Sequence, residues 1–432
     1  MGPISLFDKS FLQSLNVDES VWFDNFYSVN ISPLFYMETL ADLDKEISRG
    51  RTAEQVVGEI ASKTPEMGGS PNVHHLDLLI NNLLGQKIKM DGRPILAGGK
   101  PVRSGDKKGV NFDEPPEAKA YRRWQEGRYL EIEREFAKSW RAQVKGMTFE
   151  KSEVYAQKLG IDISECKNIR DAYRAAHNLV QSNAKPYDLM GFVLTSLPVP
   201  HELHRQIVQR YQISGFPPFL SYAPYAAHVI KVEVFFHICV SRGFISSERP
   251  SNKIDVAYLH YLPFCKLFIS GDKLHKKIAS LFMREDQLFV WGPDLKADLK
   301  ALNQHYMKLP EEVKNRGVIS FASKPPLEGD FLTAKLWDEM NPRWKKIGDV
   351  KTPLSKESND KLMEHIKSFT DAAVLESGME EFDIDKLDSV SLQRTLHKKK
   401  GSWFQVPKDL KMANKALLSR FTTPCIEHNT LN

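Results

Sequence analysis

Asp8 and Asp272 each follow a short apolar run, Ile4-Ser-Leu-Phe7 in one case and Cys265-Lys-Leu-Phe-Ile-Ser270-Gly in the other. Such runs read as buried β-strands, and an acid at a strand's carboxyl end points to the edge where open α/β sheets gather their ligands. Glu38 falls in the first two turns of a helix expected from Pro33 to about residue 47, and Asp255 on a helix that Asn252 can cap. If those helices lie over the same edge, four carboxylates meet in one crevice. Bare carboxylates that close raise one another's pKa and take up protons. A hard divalent cation satisfies them as oxygen ligands and keeps them ionised, so Mg²⁺ or Mn²⁺ is the natural occupant. Such a cation keeps open positions for a phosphate oxygen and a water, the requirements of phosphodiester hydrolysis, and one ion or two both remain open.

The elements that must position these acids are legible in outline. Strand, helix, second short strand at Asn30–Phe35 and helix open the chain in the α/β manner, with Phe11, Leu12 and Leu15 at helical spacing. From Gly85 to Glu117 glycine, proline and lysine dominate, which predicts a long loop or β-arm. Ala118 to Lys145 is helical in pattern, with Tyr129, Ile132, Phe136 and Trp140 on one stripe and eight basic residues against four acidic ones. Further helices are expected at 169–181 and 200–211, and a core helix at 226–242, where β-branched content leaves a strand open. The βα alternation then resumes with a strand ending near Ser270, a helix over 274–282, a strand at 287–291 and a helix over 294–306. Beyond Leu309 come mixed segments with Pro325-Pro326 and Pro353, and then a charged, mostly helical tail containing Lys398-Lys-Lys400 and Trp403-Phe404 is expected.

Composition excludes some classes. At 432 residues with 41% hydrophobic and 27% charged content, the chain has the material for a sizeable core and is not disordered throughout. A net charge of +5 is too weak to mark a nucleic-acid binder by itself. Cys166, Cys239, Cys265 and Cys425 are far apart and form no disulfide framework, so reduced thiols in a cytoplasmic protein are expected. The first residues show no secretory pattern, and the apolar window 226–240 carries Lys231 and Glu233, so no membrane partner is expected. Gly-x-x-x-x-Gly-Lys-Ser/Thr, Gly-x-Gly-x-x-Gly and Gly-x-Ser-x-Gly are absent, which removes the usual warrants for an NTPase, a dinucleotide enzyme and a serine hydrolase.

Leu6-Phe-Asp8-Lys-Ser-Phe, Pro33-Leu-Phe-Tyr-Met-Glu38-Thr-Leu-Ala-Asp-Leu and the stretch from Asp255 through Ser270-Gly-Asp272 together resemble the PIN-domain nucleases. In that family an acid ends the first strand, a glutamate sits on an early helix, and a later helical aspartate precedes a strand closed by Ser/Thr-x-Asp. The resemblance implies catalytic and metal-ligand roles for Asp8, Glu38, Asp255 and Asp272, and a hydrogen-bonding role behind them for Ser270. It implies an α/β fold of Rossmann-like three-layer form, a parallel sheet flanked by helices, and a nuclease activity, most often on RNA. Glu38 and Asp255 are 217 positions apart, far more than in small members. The expected organisation is therefore a PIN-like core in two parts, 1–85 and 225–308, a mainly helical insertion at 86–224 and a C-terminal extension at 309–432.

Each of these residues has a plainer reading. A single acid is most often a solvated charge or a helix cap. Asp42, four residues after Glu38, reads as a helix-surface acid. Lys273 and Lys276 could hold a phosphate, or only solubilise their helix. The basic 118–145 stretch and Lys398–Phe404 join charge to aromatics as nucleic-acid surfaces do, although their aromatics read more simply as core. His201-Glu-Leu-His204 lacks zinc-protease spacing, and His74-His75 with Asp77 reads as a polar surface patch. The function expected is a metal-dependent nuclease, an endoribonuclease acting on single-stranded or unpaired RNA. Two alternatives stand beside it: a non-catalytic nucleic-acid-binding or scaffold protein with the same fold, and a small-molecule phosphoester hydrolase. Nucleic acid, RNA before DNA, is the expected partner; a homodimer and a regulatory protein partner stay open.

Overall fold

A computed structural model of the chain describes residues 2–41, 49–145, 152–182, 184–346, 386–410 and 416–419, with scattered positions at 43–47 and 357–375. Ile4–Phe7 forms β1, and Asp8 then caps helix α1 (Lys9–Ser14) by accepting the Phe11 N–H. Helix α2 (Val17–Phe26) starts with a full capping box from Asn16 and Glu19, which satisfies two otherwise orphaned N–H groups. Strand β2 (Ser28–Ile31) leads into α3 (Pro33–Ala41), with Pro33 at its first position. The strand expected at 30–35 thus ends earlier, because Pro33 starts the helix instead of extending the strand. Asp42 lies outside the described residues.

Helix α4 (Ala53–Lys63), strand β3 (Gly69–Pro71) and helix α5 (His75–Leu83) complete the first part of the chain. The Gly/Pro/Lys stretch contains an antiparallel hairpin, β4 (Gly99–Ser104) and β5 (Lys107–Phe112), turned at Gly105 with φ of 60°. The helical stretch expected at 118–145 is two helices, α6 (Pro116–Gln125) and α7 (Glu131–Lys145), separated where Gly127 adopts φ of 70°. Its expected core stripe is only partly core, since Ile132 is 75% and Phe136 44% exposed. Helices α8 (Ser152–Lys158), α9 (Ile169–Gln181), α10 (Pro186–Ser196), α11 (His201–Ile213) and α12 (Pro224–Ser241) follow. The buried Asn82 side chain accepts the Tyr225 and Ala226 N–H groups at the start of α12.

Helix α13 (Ser251–Ala257) runs into a tight 3₁₀ segment, Tyr258–Phe264. Asn252 is not its cap. Pro250 occupies the cap position, and the Asn252 amide instead donates to the Ser246 carbonyl at 3.0 Å. Strand β6 (Leu267–Ser270), helix α14 (Lys273–Ile278), strand β7 (Leu288–Trp291), helix α15 (Gly292–Met307) and helix α16 (Leu332–Met340) come next. Around Lys398–Phe404, where helix was expected, the described chain is strand instead. It forms β8 (Ser389–Leu396), the hairpin β9 (Lys399–Lys400) and β10 (Trp403–Phe404), and β11 (Ala416–Ser419). The alternation in Ser-Val-Ser-Leu-Gln-Arg-Thr-Leu has the period of a strand, and Gly401 at φ of 55° makes the hairpin turn.

The main sheet has five parallel strands in the order β3-β2-β1-β6-β7. Side chains alternate across it, so Leu6 and Phe268 enter one apolar cluster while Phe7, Leu267 and Ile269 enter another. The first cluster is closed by α5, by helices α9 to α13 and by the 3₁₀ segment. The second is closed by α1, α2, α4, α6, α15 and α16, and by Trp403 and Val406. The result is an α/β three-layer arrangement in which segments from 86–224 and from 309–432 each help cover a face. In a separate four-stranded sheet, β11-β8-β5-β4, the hairpin pairs through β5 with β8. Among the described residues no helix is long and apolar enough to cross a membrane, and Cys166, Cys239 and Cys265 are free and buried.

Trp403 is 1% exposed, stacks edge-on to Trp22 at 4.7 Å and donates from Nε1 to the Asn303 side chain at 2.8 Å. Trp403→Ala is expected to cost about 3–5 kcal/mol in urea unfolding, as large buried aromatics do. A loss below about 1 kcal/mol would separate the tail from this core.

Candidate functional site

Strands β1, β2 and β3 step outward on one side of β1, and the chain returns to place β6 and β7 on the other. The order reverses between β1 and β6, and at such a switch point a crevice opens beyond the carboxyl ends of the strands. Phe7 pairs with Ile269 in register and Asp8 N–H donates to the Ile269 carbonyl at 3.2 Å, so Asp8 stands level with Ser270. Residues 262 positions apart are thereby joined: the Ser270 hydroxyl donates to Asp8 Oδ2 at 2.6 Å. Asp8 Oδ2 also accepts from the Ser10 hydroxyl at 2.8 Å and Oδ1 from the Phe11 N–H at 2.9 Å.

His275, one turn into α14, is fully buried against this pair. Its Nε2 donates to the Asp255 carbonyl at 2.6 Å, and its Nδ1 lies 2.8 Å from Ser270 Oγ and 3.5 Å from Asp8 Oδ2. Ser270 Oγ further accepts the Asp272 N–H at 2.9 Å. Burial would drive the imidazole toward neutrality, but the hydrogen bond and charge of Asp8, with the charge and carbonyl of Asp255, raise it to about 9. At neutral pH His275 is therefore an imidazolium donating from both nitrogens, and it supplies the crevice with an internal cation. Burial pushes Asp8 upward in turn, yet His275, Ser270 and the Phe11 N–H outweigh it and hold the carboxylate below its usual range.

The other three acids surround this hub. Asp272 caps α14 by accepting the Leu274 N–H at 2.5 Å. Glu38 accepts the Tyr258 hydroxyl at 2.7 Å, and the buried Lys9 ammonium reaches the Glu38 carbonyl at 3.3 Å. Asp255 rides on α13, which is held from below by a pair between Lys253 and the buried Glu233 of α12. Burial raises the Asp255 carboxyl, the charges of Glu38, Asp272 and Asp8 raise it further, and despite opposition from His275 it reaches about 7. Glu38, Asp272 and Asp8 thus each act electrostatically on Asp255, which brings all three within charge range of it. Glu38, Asp255 and Asp272 are half-buried and Asp8 is buried.

The donor set is all carboxylate, which suits a hard divalent cation. Among the described residues no three His, Cys, Asp or Glu side chains are close enough to share one ion. A cation there would be held by one or two carboxylates at most and completed by water, the usual manner of Mg²⁺. Lys273 begins α14 and is exposed, and the Lys276 ammonium lies 4.4 Å over the Trp291 ring.

Two residues of the hub escaped the sequence reading, His275 and Tyr258. Each lies three positions after a site aspartate on a helical segment, so spacing alone could have placed them on the acids' face. Other polar motifs resolve structurally. Lys400 is buried and donates to the Thr64 carbonyl at 2.8 Å and Trp403 is buried, so these two residues of Lys398–Phe404 belong to the core, whereas Lys399 is exposed with its ammonium 5.5 Å over the Phe404 ring. His204 Nε2 bonds the Val199 carbonyl at 3.0 Å. His74 and His75 are half-buried instead of forming a surface patch, with the His75 ring 4.6 Å from the buried His260. Comparison with protein-family models, curated proteins and solved structures finds no match to this chain.

The Asp255 carboxyl holds its proton to about pH 7 when folded and releases it near 3.8 when unfolded, so its ionisation opposes folding as pH rises between those values. His275 acts at a higher range: its contribution is complete below 6.5 and is lost as pH rises through about 9. In chelator, Asp255→Asn is therefore expected to raise the melting temperature by a few degrees at pH 8 and by much less at pH 4. Equal effects at both pH values, or destabilisation at pH 8, would contradict the assigned repulsion.

Proposed function

We propose that the protein is a metal-dependent nuclease that hydrolyses phosphodiester bonds, an endoribonuclease of PIN-like type acting on single-stranded or unpaired RNA. The observation that supports it is that Glu38, Asp272 and Asp8 lie within charge range of Asp255 at the switch-point edge of the sheet, where burial and then those charges push Asp255 up to about 7. A carboxyl in that state gains most from a divalent cation, because the cation removes the repulsion that favours its proton. Asp255, Asp272 and Glu38 would hold Mg²⁺ or Mn²⁺ from half-buried positions, while Ser270 and His275 fix Asp8 behind them. A cation there supplies a bound water of lowered pKa and stabilises the leaving oxygen. Lys273 and Lys276 stand beside the acids to hold a neighbouring phosphate, as lysines do without reading sequence. An unpaired backbone enters such a crevice more readily than a regular duplex. RNA in the cytoplasm is the substrate and setting this reading implies.

A second reading, a protein that keeps the fold and uses the crevice for no chemistry, is favoured by one observation. Both oxygens of Asp8 are engaged internally and His275 already supplies a positive charge. Metal titration separates the two readings, since a site that binds Mn²⁺ stabilises the native state by mass action, about 2.7 kcal/mol at a hundredfold excess over Kd.

Purified protein is expected to cleave single-stranded RNA oligonucleotides with Mg²⁺ or Mn²⁺ and not in chelator. Asp255→Asn and Asp272→Asn, which keep the hydrogen-bonding shape, should each lower the rate by roughly 100-fold or more while melting cooperatively. Cleavage at the wild-type rate by either folded variant, or Mn²⁺ melting shifts that persist unchanged in both, would overturn the assignment.

A further inference from the structure

Trp291 stands apart from the chain's other core tryptophans. Trp22, Trp124, Trp337, Trp344 and Trp403 are buried in the second apolar cluster, whereas Trp291, like Trp140 on α7, is half-buried and belongs to neither cluster, and of these two Trp291 is the one at the sheet edge. It is the last residue of β7, and its in-register partner on β6 is Ser270, the serine bonded to Asp8. The indole therefore stands at the carboxyl edge of the sheet, one strand beyond the acids. Gly292 follows it, and a Cβ there would lie 3.0 Å from Gly271 N and 3.1 Å from the Ser270 carbonyl carbon. A side chain at 292 would crowd that approach of the ends of β6 and β7, and glycine relieves it, keeping Trp291 beside Ser270-Gly-Asp272.

Lys276, one turn after Asp272, places its ammonium 4.4 Å over the indole ring. Lys276 and Lys273 are exposed and share a face of α14 at i, i+3 spacing. Among the described residues neither has a carboxylate within salt-bridge distance. A packed core does not account for a half-buried tryptophan at a ligand-gathering edge, and ion pairing does not account for the two lysines. An aromatic face bordered by exposed cations is what a stacked base with its flanking phosphate requires.

We propose that Trp291 is a base-stacking subsite for single-stranded nucleic acid, with Lys276 moving from the indole to the phosphate of the stacked nucleotide and Lys273 contacting the next. This deepens and rests on the nuclease reading, since it gives that site its preference for unpaired strands: a base inside a duplex has no free face to offer. The subsite recognises the π-face and the backbone, so it is tolerant of base identity and sensitive to salt.

The test measures binding in chelator, apart from cleavage. Asp272→Asn protein and its Trp291→Ala and Trp291→Phe derivatives are titrated with fluorescently labelled single-stranded RNA, with the same strand in duplex, and with strands carrying one abasic nucleotide at successive positions. Trp291→Ala is expected to weaken single-strand binding roughly tenfold, the scale of one lost stack, with Trp291→Phe retaining most of the affinity. One abasic position should weaken the parent protein but not Trp291→Ala further, and Lys276→Gln should reduce the dependence of affinity on salt concentration. Unchanged affinity in folded Trp291→Ala overturns the proposal, as does an equal loss for the duplex. The outcomes stay separable from the nuclease reading. Trp291-sensitive binding without metal-dependent cleavage in the wild type would keep the subsite and remove the nuclease, and metal-dependent cleavage with Trp291-insensitive binding would do the reverse.

Discussion

The parallel pairing of β1 with β6 is the constraint on which everything else depends. It sets Phe7 opposite Ile269, and from that register Asp8 comes level with Ser270 and within reach of His275. A slip by one residue would turn Leu6 and Phe7 to the wrong faces and carry Asp8 out of the crevice, so the two apolar clusters that flank the sheet also fix the chemistry at its edge. The acids were therefore not assembled by local sequence. They converge because a long chain returns to the strand with which it began.

Within the crevice, charge is arranged in opposition. Asp8 and His275 form a buried pair in which each holds the other ionised, and the serine between them uses its hydroxyl as donor to one and acceptor for the backbone of Asp272. Around that pair stand carboxylates whose repulsion is only partly relieved, most plainly at Asp255. Other buried acids of this protein have no such tension. Asp24 accepts three backbone N–H groups ahead of β3, and Asp298 accepts two N–H groups and the Thr333 hydroxyl at the start of α16. Those acids are structural and satisfied. The contrast between those acids and Asp255, whose carboxyl is pushed up by burial and by the charges of Glu38, Asp272 and Asp8, is the best physical ground for the proposed role of the edge acids.

The sheet strands carrying Asp8 and Ser270, and the helices carrying Glu38 and Asp255, were legible because apolar runs bounded by acids and prolines leave a strong local signal. The order of strands across the sheet was not, since pairing between β1 and β6 depends on everything that folds between them. Asn252 misled because a good capping side chain says nothing about whether Pro250 will begin the turn first. The tail misled for a different reason: its charge suggested helix, while the alternation in 389–396 and the turn at Gly401 carried the decisive strand signal. The stripe of Ile132 and Phe136 has helical spacing as read, but periodicity reports that a face is apolar without reporting what covers it. His275 could have been found by spacing from Asp272, whereas its charge could not, because that charge exists only once Asp8 is beside it.

The most direct measurement is a crystal structure of the protein grown with Mn²⁺, examined by anomalous scattering at the manganese edge. One or more peaks in the switch-point crevice, with oxygens of Asp255, Asp272 or Glu38 at about 2.1 Å and waters completing an octahedron, are expected if the acids form a cation site. A crevice without anomalous density at saturating Mn²⁺, with the Asp255 carboxyl turned to a hydrogen-bonding partner instead, would contradict it.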